Sequence, residues 1–421
     1  MQRALLQTII LEWQTPKPLA PNISRKLSID LNAAINSDSI LLITGVRRCG
    51  KSVLLQHIRH QHHEHHYYLN FDDERLINFT VADFQMMMEL FSELYGEEKT
   101  CYFDEIQNIN GWERFVRRLY ENGYKLFITG SNARMLSQEM GTHLTGRYIK
   151  IELYPFSFNE FLTFKNAEIN VSRVTTAIKA KLNNFIQQYL QIGGFPQYVK
   201  TEMLEYLQSL YENILFRDII SRYQLPNEHV IRELAFYFAS NVGKEITFNS
   251  LKKQLKLGSV NTVSDYCRYL ENSYLFFLIK RFSYSLKIQF NSPKKVYAVD
   301  SGLAYALGFR SSSDAGRMLE NIVFVELKRR NFEVYYHREK KECDFVVCQK
   351  NKIKMLIQVC FTLDNQETKE REISGLVDAM QCHKIKRGLI ITLTETDEIK
   401  MVCDHGVCHI DVMPVWLWLD R

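Results

Sequence analysis

Proline and glycine are scarce, at 8 and 18 of 421 residues, and no low-complexity tract is present. Long disordered regions are therefore not expected. No apolar run approaches the roughly 18 residues that a membrane-crossing helix needs, and the N-terminus lacks a signal-peptide pattern. No self-similarity appears at the roughly 20-to-50-residue period of repeat folds. The nine cysteines are scattered and form no secreted framework. They fit reduced thiols, and hence a cytoplasmic location. A large excess of one charge is also lacking. A net charge of +5 is mild for this size, so nucleic-acid binding is permitted but not demanded.

What is present is apolar material: 46% of residues are hydrophobic and 24% are charged. A chain this long with that balance builds two or three cored domains. Prolines 16, 18 and 21 mark an irregular lead-in. "SILLIT" then reads as a buried strand and "KSVLLQHIRHQ" as a helix. "HYYLNFDD", "TCYFDE" and "KLFITGS" are further strands, with "VADFQMMMELFSEL" and "GWERFVRRLYENG" as helices between them. Alternation of this kind predicts a parallel sheet covered on both faces. Helical patterns run from about Val174 to Phe238, broken by "IGGFPQ". "TFNSLKKQLKL" and "TVSDYCRYLENSYL" then read as two short helices joined by a tight turn. With the strands "FFLIKRFSY" and "KKVYAVD" they make a winged helix-turn-helix pattern. A last helix, "RMLENIVFVELKRRN", leads into four strands: "FEVYYHR", "CDFVVCQ", "KMLIQVCF" and "RGLIITL".

"GVRRCGKS" carries G-x-x-x-x-G-K-[ST] as Gly45, Gly50, Lys51 and Ser52, between the expected strand and helix. That context suits a phosphate-binding loop, in which backbone amides and a helix N-terminus face the anion. The nucleotide-binding stretch is Gly45, Val46, Arg47, Arg48, Cys49, Gly50, Lys51, Ser52 and Val53. Lys51 would reach the terminal phosphates, and Ser52 would ligate Mg²⁺. ATP with Mg²⁺ is the expected ligand pair. In "CYFDEIQNI", Asp104 would hold the metal and Glu105 would polarise the attacking water. Ser131 and Asn132 end the next strand, where a polar side chain can sense the γ-phosphate; a plain turn is the alternative. Arg147, in "HLTGRYIKIEL", could neutralise transition-state charge from a neighbouring subunit or be an ordinary surface arginine. Arg47 and Arg48 could touch phosphates, meet a second protomer or simply face solvent.

Taken together, "ITGVRRCGKS", "NFDDERL", "FDEIQNINGWERFVRRLY", "ITGSNARML", "LTGRY", "YPFSFNEF" and "GGFPQYV" resemble the AAA-type predicted ATPases. In that family an AAA+ module is fused to a C-terminal domain of unknown function. "KKVYAVDSGLAYAL" and "RMLENIVFVELKRRNFEVYYHREKKECDFVV" extend the resemblance over nearly the whole chain. It implies Walker A at Gly45 through Ser52, Walker B at Asp104 and Glu105, sensor-like roles for Ser131 and Asn132, and an arginine-finger-like role for Arg147. It also implies a winged helix in the middle and a restriction-endonuclease-like fold of the PD-(D/E)XK type at the end.

The expected fold class is therefore α/β. Its parts are a lead-in over residues 1–24, an AAA+ P-loop domain over 25–165 and a helical region over 166–240. A winged helix-turn-helix over 241–310 and a nuclease-like α/β domain over 311–421 complete the chain.

A nuclease of the implied type needs a metal-binding acid followed by Glu-x-Lys on the next strand. Glu320 and Asp344 occupy acid positions, but "LIQVCF" places Gln358 and Cys360 where Glu and Lys should stand. Gln358 could ligate a hard cation weakly, whereas Cys360 fits strand packing. A degenerate fold used for binding or structure is expected, rather than an active nuclease.

His57, His60, His62, His63, His65 and His66 cluster near the first helix end and fit a solvated turn. Cys403, His405, Cys408 and His409 match no standard zinc spacing. For DNA, Lys252, Lys253, Lys256 and Arg268 surround the helix-turn-helix, with Ser259, Asn261 and Thr262 opening its second helix. Asp265 and Glu271 dilute that charge, and such modules also dock proteins. The expected activity is Mg-dependent ATP hydrolysis coupled to DNA binding or remodelling. The alternative is a nucleotide-gated signalling switch of the STAND type acting through protein partners. No membrane partner is expected, and self-assembly into a homo-oligomer is compatible with the sequence.

Overall fold

The computed structural model describes residues 1–15, 18–19, 23–61, 65–131, 146–167, 169, 175–308, 315–404 and 406–421. The chain divides into two compact units, Met1–Leu153 with Asn272–Tyr274, and Tyr154–Glu271 with Leu275–Arg421.

The first unit is built on five strands: β1 (Ile40–Gly45), β2 (Tyr67–Asn70), β3 (Thr100–Asp104), β4 (Lys125–Gly130) and β5 (Tyr148–Leu153). They lie in the order β2-β3-β4-β1-β5, and every pairing is parallel. β1 and β3 are buried along their whole length, as strands covered on both faces must be. The short helix α2 (Leu31–Ile35) precedes β1, and helices α3 (Lys51–Gln61), α4 (Asp83–Tyr95) and α5 (Trp112–Glu121) follow β1, β2 and β3, as the alternation predicts. On one side Phe71, Phe84, Phe103 and Phe115 form a connected aromatic core, with Phe84 and Phe115 stacked at 4.0 Å.

The lead-in begins with a helix that the sequence pattern did not announce. α1 (Arg3–Gln14) buries Leu6, Ile9 and Ile10 against the core that holds β2 and α4. The spacing of those three residues puts them on one helical face. The Gln14 side chain fixes the helix end by donating to the His66 carbonyl at 2.6 Å and accepting from the Tyr68 amide at 2.9 Å.

In the second unit, helices Phe158–Phe164, Thr176–Ile192, Pro196–Thr201 and Leu204–Asn213 come first. The last runs without a break into a π-helical stretch, Ile214–Ser221, and the helix Glu228–Ser240 follows. The "IGGFPQ" interruption is a contact point. A Cβ at Gly194 would lie 2.2 Å from the Phe156 carbonyl oxygen, and the Gly194 amide donates to Asp300 at 2.6 Å. Asp300 also N-caps the helix Ser301–Leu307 by accepting from the Leu303 amide.

Two short helices, Phe248–Gln254 and Val260–Asn272, accompany a three-stranded antiparallel sheet. Its strands, β6 (Glu245–Ile246), β7 (Phe276–Lys280) and β8 (Lys294–Ala298), lie in the order β6-β8-β7. A six-stranded mixed sheet ends the chain: β9 (Glu333–Arg338), β10 (Glu342–Gln349), β11 (Lys352–Val359), β12 (Arg387–Thr392), β13 (Asp397–Cys403) and β14 (Gly406–Pro414), ordered β13-β14-β12-β11-β10-β9. The helix Gln366–His383 connects the parallel pair β11 and β12, and Ala315–Arg329 precedes β9. The hairpin β13–β14 adds two strands to the four expected from sequence. β13 is a largely exposed edge strand, so its pattern is polar and gives little sequence signal.

Candidate functional site

The parallel sheet sets the site because all five strands present their C-terminal ends at one edge. β1 delivers the loop Gly45–Gly50 there, and α3 begins immediately after it. Gly45 has φ 149°, and a Cβ on it would lie 2.0 Å from the Leu153 carbonyl oxygen of neighbouring β5, so a side chain cannot fit. Arg48 takes φ 66° and is exposed. Cys49 is buried, its thiol donating to the Leu153 carbonyl at 3.2 Å; burial raises the thiol's pKa, so it stays protonated. Arg25 donates to the Cys49 carbonyl at 2.9 Å and braces the loop from outside. The helical ladder starts with Leu54 N–H to the Gly50 carbonyl at 2.9 Å. The amides of Lys51, Ser52 and Val53 therefore lie ahead of that ladder, where a helix N-terminus favours an anion.

β3 stands beyond β4, so its acids reach the loop across one intervening strand. Ser52 Oγ donates to Asp104 Oδ1 at 3.1 Å, and Thr129 Oγ1 of β4 donates to the same oxygen. Asp104 is completely buried, and its Oδ2 has no hydrogen-bond partner among the described residues. Burial, with the neighbouring Glu105 charge, raises its carboxyl from 3.8 to about 6. A buried carboxylate oxygen without a donor, next to a hydroxyl, fits a hard cation. Ser52 and Asp104 would hold Mg²⁺.

Glu105 follows with a left-handed backbone, φ 52° and ψ 40°. Its amide donates to Thr129 Oγ1 at 2.9 Å, and its carboxylate accepts from Gln107 Nε2 at 2.5 Å. Lys51 Nζ lies 3.4 Å from Glu105 Oε1 and donates to the Val46 carbonyl at 3.2 Å. Burial pushes the Glu105 carboxyl up, but the Lys51 and Arg47 cations outweigh it and hold the group below its ordinary range. It is thus a charged base beside the loop. Arg47 pairs with Asp72 at 3.6 Å, beyond the end of β2.

The sequence-predicted residues Gly45 through Val53, Asp104, Glu105 and Ser131 meet at this edge, Ser131 lying under Gln107 at 3.4 Å. Asn132 lies outside the described residues. Arg147, expected to act from a neighbouring subunit, lies away from its own loop. It precedes β5, and its carbonyl accepts the amide of Ile40 at the start of β1. That is the opposite edge of the sheet, on the order of 15 Å from the loop for strands rising ~3.3 Å per residue. Arg147 pairs instead with Glu121 at 3.0 Å, and it cannot serve its own loop. Thr129 and Gln107 escaped the sequence reading. The one signal for Thr129 is a hydroxyl in an otherwise apolar strand.

In the second unit Glu320, Asp344 and Gln358 do converge. The Asp344 amide donates to Gln358 Oε1 at 3.2 Å, and Gln358 Nε2 donates to Glu372 at 2.6 Å. Cys360 is buried and donates to the Thr362 carbonyl. Cys403 and Cys408 sit buried on neighbouring strands, while His405 lies outside the described residues, as do His62 and His63. His66 accepts from Arg59 at 2.5 Å. No described helix is long and apolar enough to cross a membrane.

Residues 37–162 match the AAA domain family. Two domains of unknown function, DUF8612 and DUF4143, match residues 183–314 and 315–417. An uncharacterized protein of Methanocaldococcus jannaschii is 34% identical, covering 99% of this chain and 95% of its own length. Another, of Haemophilus influenzae, is 34% identical, covering 87% of this chain and 93% of its own length. Among solved structures, the Thermotoga maritima RuvB Holliday junction branch migration motor is 18% identical. That likeness covers 62% of this chain and 89% of that one, but its TM-score of 0.30 carries no weight for fold or function. Identity sustained from end to end, with a phosphate loop inside the matched AAA domain, places this chain in the family of the two full-length relatives: a P-loop NTPase with an AAA-type module followed by DUF8612 and DUF4143 domains.

Proposed function

We propose that the protein binds and hydrolyses ATP with Mg²⁺ and couples nucleotide state to DNA through its helix-turn-helix region. The observation that supports hydrolysis is the pairing across the sheet edge, Ser52 with Asp104 and Lys51 with Glu105. Loop amides and Lys51 bind and orient the phosphates. Glu105, kept ionised and fixed by Thr129 and Gln107, accepts the proton of the attacking water. Mg²⁺, held by Ser52 and Asp104, supplies Lewis-acid stabilisation of the phosphate charge. Arrival of a γ-phosphate gives Lys51 a second anion and releases Glu105 for the base role. ATP turnover by the full chain beside Lys51→Ala tests the reading. Equal turnover in the two would overturn it.

The DNA arm rests on charge. Lys252, Lys253 and Lys256 make no ion pair with a described residue, whereas Arg268 is tied to Asp265 at 2.5 Å. The two helices with the three-stranded sheet suit a winged helix, whose second helix meets phosphate and base edges. Salt-sensitive duplex binding that stimulates turnover, and weakens when the three lysines are replaced by alanine, is the expected result. Failure to bind DNA at any salt concentration would favour the nucleotide-gated switch acting through protein partners.

A further inference from the structure

Three carboxylates meet at one buried point of the second unit. Glu320 comes from the helix Ala315–Arg329, and Glu342 and Asp344 come from β10. A cation already stands at that point, and it belongs to the chain. Lys295, on β8 of the three-stranded sheet, is 1% exposed. Its Nζ lies 3.1 Å from Glu320 Oε1, 2.7 Å from Glu342 Oε1 and 2.9 Å from Asp344 Oδ1. The ammonium donates to Glu320 Oε1 and Asp344 Oδ1, and Glu342 Oε1 stands beside it as an ion-pair partner.

Further donors hold the acids in place. Tyr297 OH donates to Glu320 at 2.5 Å, the Val359 amide to Asp344 Oδ2 at 3.0 Å, and Arg338 to Glu342 Oε2 at 3.0 Å. Gln358 is held by the Asp344 amide and Glu372, as described above. Burial works against the Lys295 charge, but the Asp344 and Glu320 carboxylates overcome it and hold the ammonium well above its ordinary range.

Carboxylate oxygens converging with an amide carbonyl form the donor set of a hard divalent cation. Here the converging acids hold an ammonium, whose N···O distances are too long for metal coordination and right for hydrogen bonds. We propose that this acid cluster is a cation site permanently filled by Lys295, so that the wild-type chain takes no divalent metal there. Withdrawing the ammonium opens a Mg²⁺-class site formed by Glu320, Asp344 and Gln358. The lysine that β11 lacks at Cys360 is thus present in space but delivered from another strand, and it sits in the metal position rather than beside it. Metal-dependent phosphodiester hydrolysis is closed to the wild-type cluster. This inference does not depend on the ATPase reading.

The test is Mn²⁺ binding to the nucleotide-free full chain, read by electron paramagnetic resonance, in an Asp104→Asn background that removes the P-loop acid. The expected result is no Asp344-dependent Mn²⁺ site with Lys295 in place. One such site should appear in Lys295→Met and in Lys295→Gln, and disappear again when Asp344→Asn is added. An Asp344-dependent site with Lys295 present would overturn the proposal. So would folded Lys295 variants, checked by circular dichroism, that gain none. The measurement with Lys295 in place keeps the proposal falsifiable even if the variants unfold.

Discussion

The molecule sets a buried lysine among carboxylates twice, with opposite results. At the phosphate loop, Lys51 pairs with Glu105 while Asp104 keeps a buried oxygen without a donor. At the C-terminal cluster, Lys295 engages three carboxylates, and the oxygens around it are satisfied from several strands. The first arrangement is electrostatically incomplete and suits an incoming metal–phosphate group. In the second, the ammonium already stands among the acids, and none of their buried oxygens lacks a donor. Similar residue types therefore give a binding site in one place and a structural cross-link in the other. What decides between them is whether a buried carboxylate oxygen is left without a donor.

That contrast can be broken most severely at Lys51. Lys51→Ala should lower ATP turnover on the order of a hundredfold or more and weaken nucleotide binding as well. Glu105→Gln should cost turnover to a similar order while leaving nucleotide affinity nearly intact, which equilibrium binding would show. Lys295→Met should spare nucleotide binding but strip three acids of their partner, destabilising the second unit by about 3–5 kcal/mol in denaturant titration.

A smaller effect concerns protons. Asp104 has its carboxyl raised from 3.8 to about 6, so without ligand the folded chain binds that proton more tightly than the unfolded chain does. Its contribution to stability is full below 3.8 and is lost as pH rises through about 6. Metal binding needs the carboxylate, so Mg-nucleotide affinity should fall as pH drops through the same value. Asp104→Asn should flatten that dependence, as titration calorimetry at several pH values would show. The smallest effect is expected at Arg147. Arg147→Ala should leave turnover in dilute, monomeric solution unchanged, because the residue sits at the far edge of its own sheet.

The loop, its strand and its helix were legible because function there is written in consecutive residues with a strand and a helix on either side. The pairing of Lys51 with Glu105 depends on strand order in the parallel sheet, which the motifs do not state. Lys295 was not legible. In "KKVYAVD" it is one of two adjacent lysines at the start of a strand, and only the packing of β8 beside the six-stranded sheet shows which of them is buried. Nor was the place of Arg147 legible, because motif order carries no information about which end of a strand a residue occupies. α1 was hidden by the prolines that follow it, and β13 by the polarity of an exposed edge.

The π-helical stretch Ile214–Ser221 carries a consequence for how insertions and deletions read out in this chain. Its i→i+5 bonding accommodates more residues per turn than its flanks do, so it works as a phase shifter between Leu204–Asn213 and the residues after Ser221. Removing one residue there would let the backbone relax into ordinary α-helix without loss of hydrogen bonds. Each π-helical residue turns through a smaller angle than an α-helical one, so everything downstream would keep close to its present orientation while the side chains inside the stretch change place. Buried Leu215 and Ile219 and exposed Phe216 could no longer all keep their present surroundings. The segment is therefore a place where the chain can lose a residue with its downstream helix kept in phase, at the cost of new neighbours for the side chains inside it.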